Sequence, residues 1–186
     1  MQLPVKATSL TFKYSEPEDR LIVLASEPAG TKIGLFLTRR MIGRLINGLA
    51  GILEKSSLAA SHAPAEMRDD VVLLEHQGAI GNKGAPPQQG QPATGMTPAR
   101  NPAQAAREPV QVQSVHIQSI DISVKPRHFE LVLKDGKRQP IVTMDIGRPA
   151  LHRLLDMLTR KAEEADWNIR IAAKWLEPGQ TSVSLN

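Results

Sequence analysis

The chain of 186 residues contains no cysteine, and only 3% of its residues are aromatic. Without cysteine there is no disulfide, no thiolate nucleophile and no zinc site of the cysteine type. The few aromatic residues leave little material for the stacking platforms with which proteins usually bind single-stranded nucleic acid. The missing cysteine therefore excludes thiol chemistry, although it leaves the cellular compartment open.

Long apolar runs are also missing. Arg39, Arg40 and Arg44 interrupt the most hydrophobic region, so no stretch approaches the roughly 18 apolar residues of a membrane-spanning helix. The N-terminal sequence MQLPVKATSL lacks the basic start and the long apolar segment of a secretory signal. We therefore expect a cytoplasmic protein that does not contact a membrane.

The composition is that of a folded chain with a small excess of positive charge. Hydrophobic residues make up 41% of the sequence, which is enough for the core of one domain or two small ones. The 23 basic and 19 acidic residues give a net charge of only +4. The isoelectric point of about 9.6 is therefore weak evidence for binding to nucleic acid.

Residues 1–76 are predicted to form a first unit of three antiparallel strands, a helix and a closing strand. The stretches with the apolar patterns of strands are 10–14, 20–25 and 33–37. From Thr38, whose hydroxyl is suited to cap a helix, apolar residues recur at spacings of three and four as far as Leu53. The short apolar run from Val71 to Leu74 is the candidate closing strand.

Residues 110–178 are predicted to form a second unit with the same order of elements. Strand patterns lie within 110–124, 129–133 and 141–146, a helix follows Pro149, and 169–175 alternates as a closing strand. Between the units, residues 77–109 are rich in glycine, proline, glutamine and alanine and contain no aromatic residue. We expect this segment to be a flexible linker, because it buries too little apolar surface to offset its ordering entropy. Residues 179–186 are expected to form a tail.

The two units resemble each other in sequence pattern. The alignment that places Ile33 on Val142 brings the apolar stripes of the two helices into phase and superposes two pairs of arginines. These pairs are Arg39 with Arg148, and Arg44 with Arg153. Apolar periodicity alone would align any two units of this type, but the element order, the helix phase and the arginines agree together. We therefore predict an α+β fold of two tandem βββαβ units, related by pseudo-twofold symmetry as an internal duplication.

No group of residues has the pattern of an enzyme active site. The histidines show no paired spacing typical of metal ligands, and each is interpreted as a surface or strand-edge residue: His62, His76, His116, His128 and His152. The densest acidic group, Asp69, Asp70 and Glu75, is better explained as polar residues flanking a short hydrophobic strand. We expect no catalytic residue, no cofactor and no metal site.

The arginines at the starts of the two helices are the best functional lead. Arg39 and Arg40 lie in the first turn of the first helix and Arg148 in that of the second, where positive charge opposes the helix dipole by about 0.3 to 1 kcal/mol. Three partners could offset this unfavourable charge: a carboxylate elsewhere in the fold, such as Asp145, a phosphate of a ligand, or water alone. The candidate residues for binding an anion or a partner are Arg39, Arg40, Arg44, Arg148 and Arg153.

Two functions are open. The first is a non-catalytic interaction or assembly module, a subunit or adaptor that contacts a protein partner or a second copy through helix faces and sheet edges. Three glycines in the first helix suit close packing, and the linker allows separate docking of the halves.

The second possible function is a single-stranded DNA- or RNA-binding protein with arginine contacts to phosphate. The element order is similar in outline to the duplicated sheet-and-helix folds of the whirly and Pur-alpha kind, and this resemblance implies such a ligand. Because aromatic residues are scarce, we place the interaction module first.

Overall fold

The computed structural model describes residues 3–81 and 114–176, and these residues form an α+β fold with two four-stranded sheets and four α-helices. The strands are β1 (Val5–Lys6), β2 (Ser9–Ser15), β3 (Arg20–Ser26), β4 (Lys32–Thr38), β5 (Ser114–His116), β6 (Ser119–Val124), β7 (Phe129–Lys134) and β8 (Pro140–Ile146). The helices are α1 (Arg39–Lys55), α2 (Leu58–His62), α3 (Arg68–Gly81) and α4 (Arg148–Glu164). Each half has three antiparallel strands followed by a 17-residue helix, which confirms the predicted fold class.

The strand and helix patterns of the sequence correspond to buried faces. In β3, Leu21, Val23 and Ala25 are buried, and the residues between them are partly exposed, as expected for a strand covered on one face. Thr38 caps α1 as predicted, because its hydroxyl accepts a hydrogen bond from the backbone N–H of Met41. The apolar stripes of α1 and α4 belong to one hydrophobic core that the two halves share, and the two helices pack against each other.

The fourth strand of each sheet comes from the other half of the chain. β5 pairs in parallel with β4, and β1 pairs in parallel with β8. Between β1 and β2, the N–H of Ala7 donates to Thr143 in the second sheet, and the N–H of Thr8 donates to Ser26 in the first. The chain crosses between the sheets in the same way at residues 117–118, between β5 and β6. Two strands that pass from one sheet to the other therefore bind the halves together.

The predicted closing strands are wrong in both halves. Residues 71–74 belong to α3, and residues 169–175 form no strand but end in a short 3₁₀ helix, Lys174–Leu176. A short apolar run fits a strand or a buried helix equally well. Here Val72 and His76, one turn apart in α3, are both buried, which is the spacing of a helix face.

α3 also extends into the predicted linker. Residues 77–81, which we assigned to the linker, form the last turn of this helix, where Ala79 and Ile80 are partly buried. These two residues bury apolar surface that the overall composition of 77–109 does not reveal. Residues 82–113 separate the two halves; the rest of the predicted linker and the predicted tail, 179–186, lie outside the described residues.

None of the helices that the structure describes has the length and apolar character needed to cross a bilayer.

Candidate functional site

α1 begins directly after β4, and this junction places three of the candidate arginines together. Arg39 and Arg40 occupy the first turn of α1, and Arg44 follows one turn later. They line a shallow groove of about 390 Å³, whose opposite wall is the segment 167–170 that follows α4. Arg170 in this wall is a fourth arginine of the groove.

Asn47 of α1 holds the opposite wall in place. Its side-chain Nδ2 donates to the carbonyl of Arg170 at 3.0 Å, and its Oδ1 accepts from the N–H of Ala172 at 2.7 Å. Gly43 of α1 lies beside Ile169 of the wall. A Cβ built on Gly43 would be 3.5 Å from the side chain of Ile169. The wall is therefore fixed to α1 by two backbone hydrogen bonds through one side chain.

Trp167 anchors the start of this wall to the first sheet. The indole is 1% exposed, and its Nε1–H donates to Asp19 Oδ1 at 2.6 Å. Tyr14 donates to the same oxygen at 3.1 Å and packs edge-on against the indole. Partial burial, followed by the hydrogen bond to Asp19, raises the pKa of Tyr14. The turn between β2 and β3 thus positions a segment of the second half.

The described lining of the groove carries four positive charges and no negative one. Arg39, Arg40, Arg44 and Arg170 are exposed, and none makes an ion pair or a side-chain hydrogen bond within residues 3–81 and 114–176. Among the residues that the structure describes, no carboxylate lines the groove, and the first turn of α1 contains no acidic residue. The arrangement favours an anion, since both the guanidinium groups and the helix N-terminus attract negative charge.

Arg148, the counterpart of Arg39, is fully engaged within the protein. Its guanidinium donates to Glu75 Oε2 at 2.6 and 3.1 Å, to Ser56 Oγ at 2.8 Å and to the carbonyl of Leu53 at 2.7 Å. Asp145, which we named as an example of a compensating carboxylate, instead lies 3.6 Å from His128. Arg148 joins α4 to α1 and α3, and its charge is already compensated by Glu75.

Two histidines are buried beside this ion pair, so the prediction that all five lie at the surface or at strand edges is wrong for His76 and His152. They are 6% and 1% exposed, and their Nδ1 atoms are 3.2 Å apart. Burial is the main cause that lowers the pKa of each histidine. For His152, the neighbouring His76 and Arg148 lower the pKa further, to about 3. For His76, the negative charge of Asp156 partly opposes the lowering of the pKa. Both rings are therefore neutral near pH 7, with one Nδ1 donating and the other accepting.

Arg153 lies in a second cavity, of about 360 Å³, together with Glu75, Arg148 and His152. Arg153 makes no ion pair among the described side chains. Glu75, however, contributes a carboxylate to the same cavity and already pairs with Arg148. This cavity offers an anion one free guanidinium, whereas the groove at α1 offers four.

The acidic group at the start of α3 has a structural explanation. Asp69 and Asp70 lie in the first turn of this helix, where negative charge is favourable to the helix dipole. In the described parts of the chain, no three histidine, aspartate or glutamate side chains are grouped to hold a metal ion.

Sequence reasoning missed Arg170 and Asn47, and it placed Glu75 at the flank of a strand without its ion pair with Arg148. Arg170 was part of a predicted strand, and the contacts of Asn47 and Glu75 join segments that are far apart in the chain. No local pattern identifies such partners.

Comparison of the chain with models of known protein families, with curated proteins and with solved structures finds no match.

Proposed function

We propose that the protein is a non-catalytic interaction module, a subunit or adaptor of a larger assembly, which binds an acidic segment of a partner protein in the groove at α1. The observation that carries this proposal is the convergence of Arg39, Arg40, Arg44 and Arg170 on a groove without a carboxylate. Four unpaired guanidinium groups in one place repel each other, and an anionic partner removes this cost.

The size and chemistry of the groove favour carboxylate side chains. A groove of about 390 Å³ has room for a few side chains. Guanidinium groups bind carboxylates, as they bind phosphates, with paired, parallel hydrogen bonds, so the groove is suited to an acidic protein segment. Because Asn47 and Trp167 fix the wall that bears Arg170, part of the site is organised before binding, which lowers the entropic cost of association.

The groove also lacks the residues that catalysis needs. Its lining contains arginine, asparagine, tryptophan, isoleucine and glycine, none of which is a usual nucleophile or general base. The two histidines with shifted pKa values are buried between α3 and α4. Binding without chemistry is the activity that this arrangement supports.

The experiment compares binding of a fluorescent oligoglutamate peptide to the full chain and to the double variant Arg39→Gln/Arg40→Gln. We expect roughly tenfold weaker binding by the variant, because two charge-assisted contacts are lost. The control, Arg127→Gln/Lys137→Gln, removes the same charge at exposed positions and should change the affinity little. Equal affinity of both variants would contradict the proposal, as would a loss of binding to single-stranded oligonucleotides but not to oligoglutamate.

A further inference from the structure

A row of side chains crosses all four strands of the first sheet on its outer face, the face opposite Leu21, Val23 and Ala25. The strand register places Lys13 beside Ile22, Ile22 beside Phe36, and Phe36 beside His116. Lys13 and His116 are exposed, and Ile22 and Phe36 are partly exposed. The outer face of this sheet therefore presents an aromatic pair in line with a lysine.

The aromatic pair is already ordered. The rings of Phe36 and His116 are stacked, with centroids 5.1 Å apart and planes inclined by 29°. Arg20 Nη1 donates to His116 Nδ1 at 2.9 Å, and this contact fixes the orientation of the imidazole. Neither ring has to be ordered when a planar ligand stacks on the pair.

The charge of this face is positive. Its basic residues are Lys13, Arg20 and Lys32, and the register places no aspartate or glutamate on it. The corresponding row of the second sheet is Ser123, Glu130 and Asp145, in which Asp145 occupies the place of Phe36. The outer face of the second sheet is mixed in charge, since Asp121, Glu130 and Asp145 share it with Lys6 and Lys134. The first sheet, whose strand residues on this face include basic residues and no acidic one, is therefore the better suited to a polyanion.

We infer that the outer face of the first sheet binds single-stranded nucleic acid. Unpaired bases stack on the Phe36–His116 pair, and Lys13 and Lys32 contact the phosphates. A π-face is common to all bases, so the binding is tolerant of sequence. This surface is distinct from the groove at α1, and the inference does not depend on the partner of that groove. If both hold, the protein joins a nucleic acid strand to an acidic partner protein.

The test is fluorescence anisotropy of a labelled oligothymidylate with the full chain at about 50 mM salt and above. Phe36→Leu and His116→Gln should each weaken binding about tenfold without changing the salt dependence, because each removes a stacking contact. Lys13→Gln should reduce the salt slope by about 1. Asp145→Asn, at the corresponding place in the second sheet, is the control and should not weaken binding. Thermal unfolding checks that each variant is folded.

Several results would overturn the inference. These are no binding by the unaltered chain, equal affinity for a duplex of the same length, and unchanged affinity of folded Phe36→Leu and His116→Gln. Loss of oligothymidylate binding only in Arg39→Gln/Arg40→Gln would also overturn it, since the groove would then be the nucleic acid site. Oligoglutamate binding tests the proposed function separately, so the two can fail independently.

Discussion

Arg39 and Arg148 begin two similar helices, and their surroundings differ. Arg148 donates to Glu75, Ser56 and a backbone carbonyl of α1, whereas Arg39 lies in a groove without a carboxylate. A positive charge at a helix N-terminus is unfavourable in both places. Of these two residues, Arg148 alone has this cost offset by a carboxylate within the described parts of the chain. We therefore assign a structural role to Arg148 and propose that Arg39 is open to a partner.

Glu75→Gln tests the structural role of Arg148. The change keeps the shape of the side chain but leaves a guanidinium that is 25% exposed without a counter-charge, and we expect a loss of about 2 kcal/mol in the free energy of unfolding. Glu164→Gln breaks the ion pair of Lys161 with Glu164, which is 55% exposed, and should cost less than about 0.5 kcal/mol. Urea unfolding measures both values, and equal losses would contradict the assignment.

We expect the buried histidine pair to make the protein sensitive to acid. In the folded state the pKa of His152 is lowered from 6.5 to about 3, so between these values the unfolded state binds the proton and the folded state does not. The contribution of His152 to stability is therefore present above pH 6.5 and is lost as the pH falls from 6.5 towards 3. From about pH 7 to about pH 5, His152 alone should remove about 2 kcal/mol.

The measurement is urea unfolding of the unaltered chain, His152→Gln and His62→Gln at these two pH values. His152→Gln should reduce the difference in stability between the two pH values by about 2 kcal/mol, whatever its effect at pH 7. His62 is exposed, so His62→Gln should keep the full difference. An unchanged difference in His152→Gln would show that another group causes the acid sensitivity.

At the scale of elements, α1 is a strong amphipathic helix that contains three glycines, and only one of them has a packing reason. Gly43 lies against Ile169, whereas a Cβ at Gly48 or Gly51 would meet nothing within 4 Å. The sequence predicts close packing at all three positions, and the structure shows it at Gly43. The burial of the apolar stripe, from Ile42 to Leu53, is the stabilisation that offsets their low helix propensity.

Gly48→Ala should therefore stabilise the protein by up to about 1 kcal/mol, because alanine loses less backbone entropy in a helix and has room for its Cβ. The measurement is the midpoint of thermal or urea unfolding. A clear loss of stability in Gly48→Ala would mean that this face of α1 packs against another surface.

How much the sequence predicts also depends on the element. Periodicity correctly placed the six meander strands, α1 and α4, because apolar residues of each are buried in the core or packed against it. It failed for α3, whose apolar residues 71–74 are consecutive and carry no clear period. It could not identify the partner of Arg148 or the arginine opposite α1, since hydrogen bonds and packing between distant segments determine these.

At the scale of the whole molecule, the exchange of strands between the sheets makes the halves interdependent. β1 completes the second sheet and β5 completes the first, while α1 and α4 share the core. Sequence repetition predicted two similar units, but no local pattern indicates that each lends a strand to the other. A half on its own would expose the edge of β4 or β8 and part of the core.

A cleavage experiment tests this interdependence. We expect a chain with a protease site inserted between residues 82 and 113 to remain one species on gel filtration after cleavage, with an unchanged circular dichroism spectrum. The strand pairs β1–β8 and β4–β5 and the α1–α4 contact all join the two pieces. Separation into two folded pieces would contradict the shared core.

The most direct test of the proposed function is an NMR titration of the isotope-labelled full chain with oligoglutamate, followed by the backbone amide signals. We expect the signals of Arg39 to Arg44 and of residues 168–172 to shift, while those around Arg148 stay in place. Shifts around Arg148 and Arg153 instead, or no shifts at all, would contradict the assignment of the groove at α1 as the docking site.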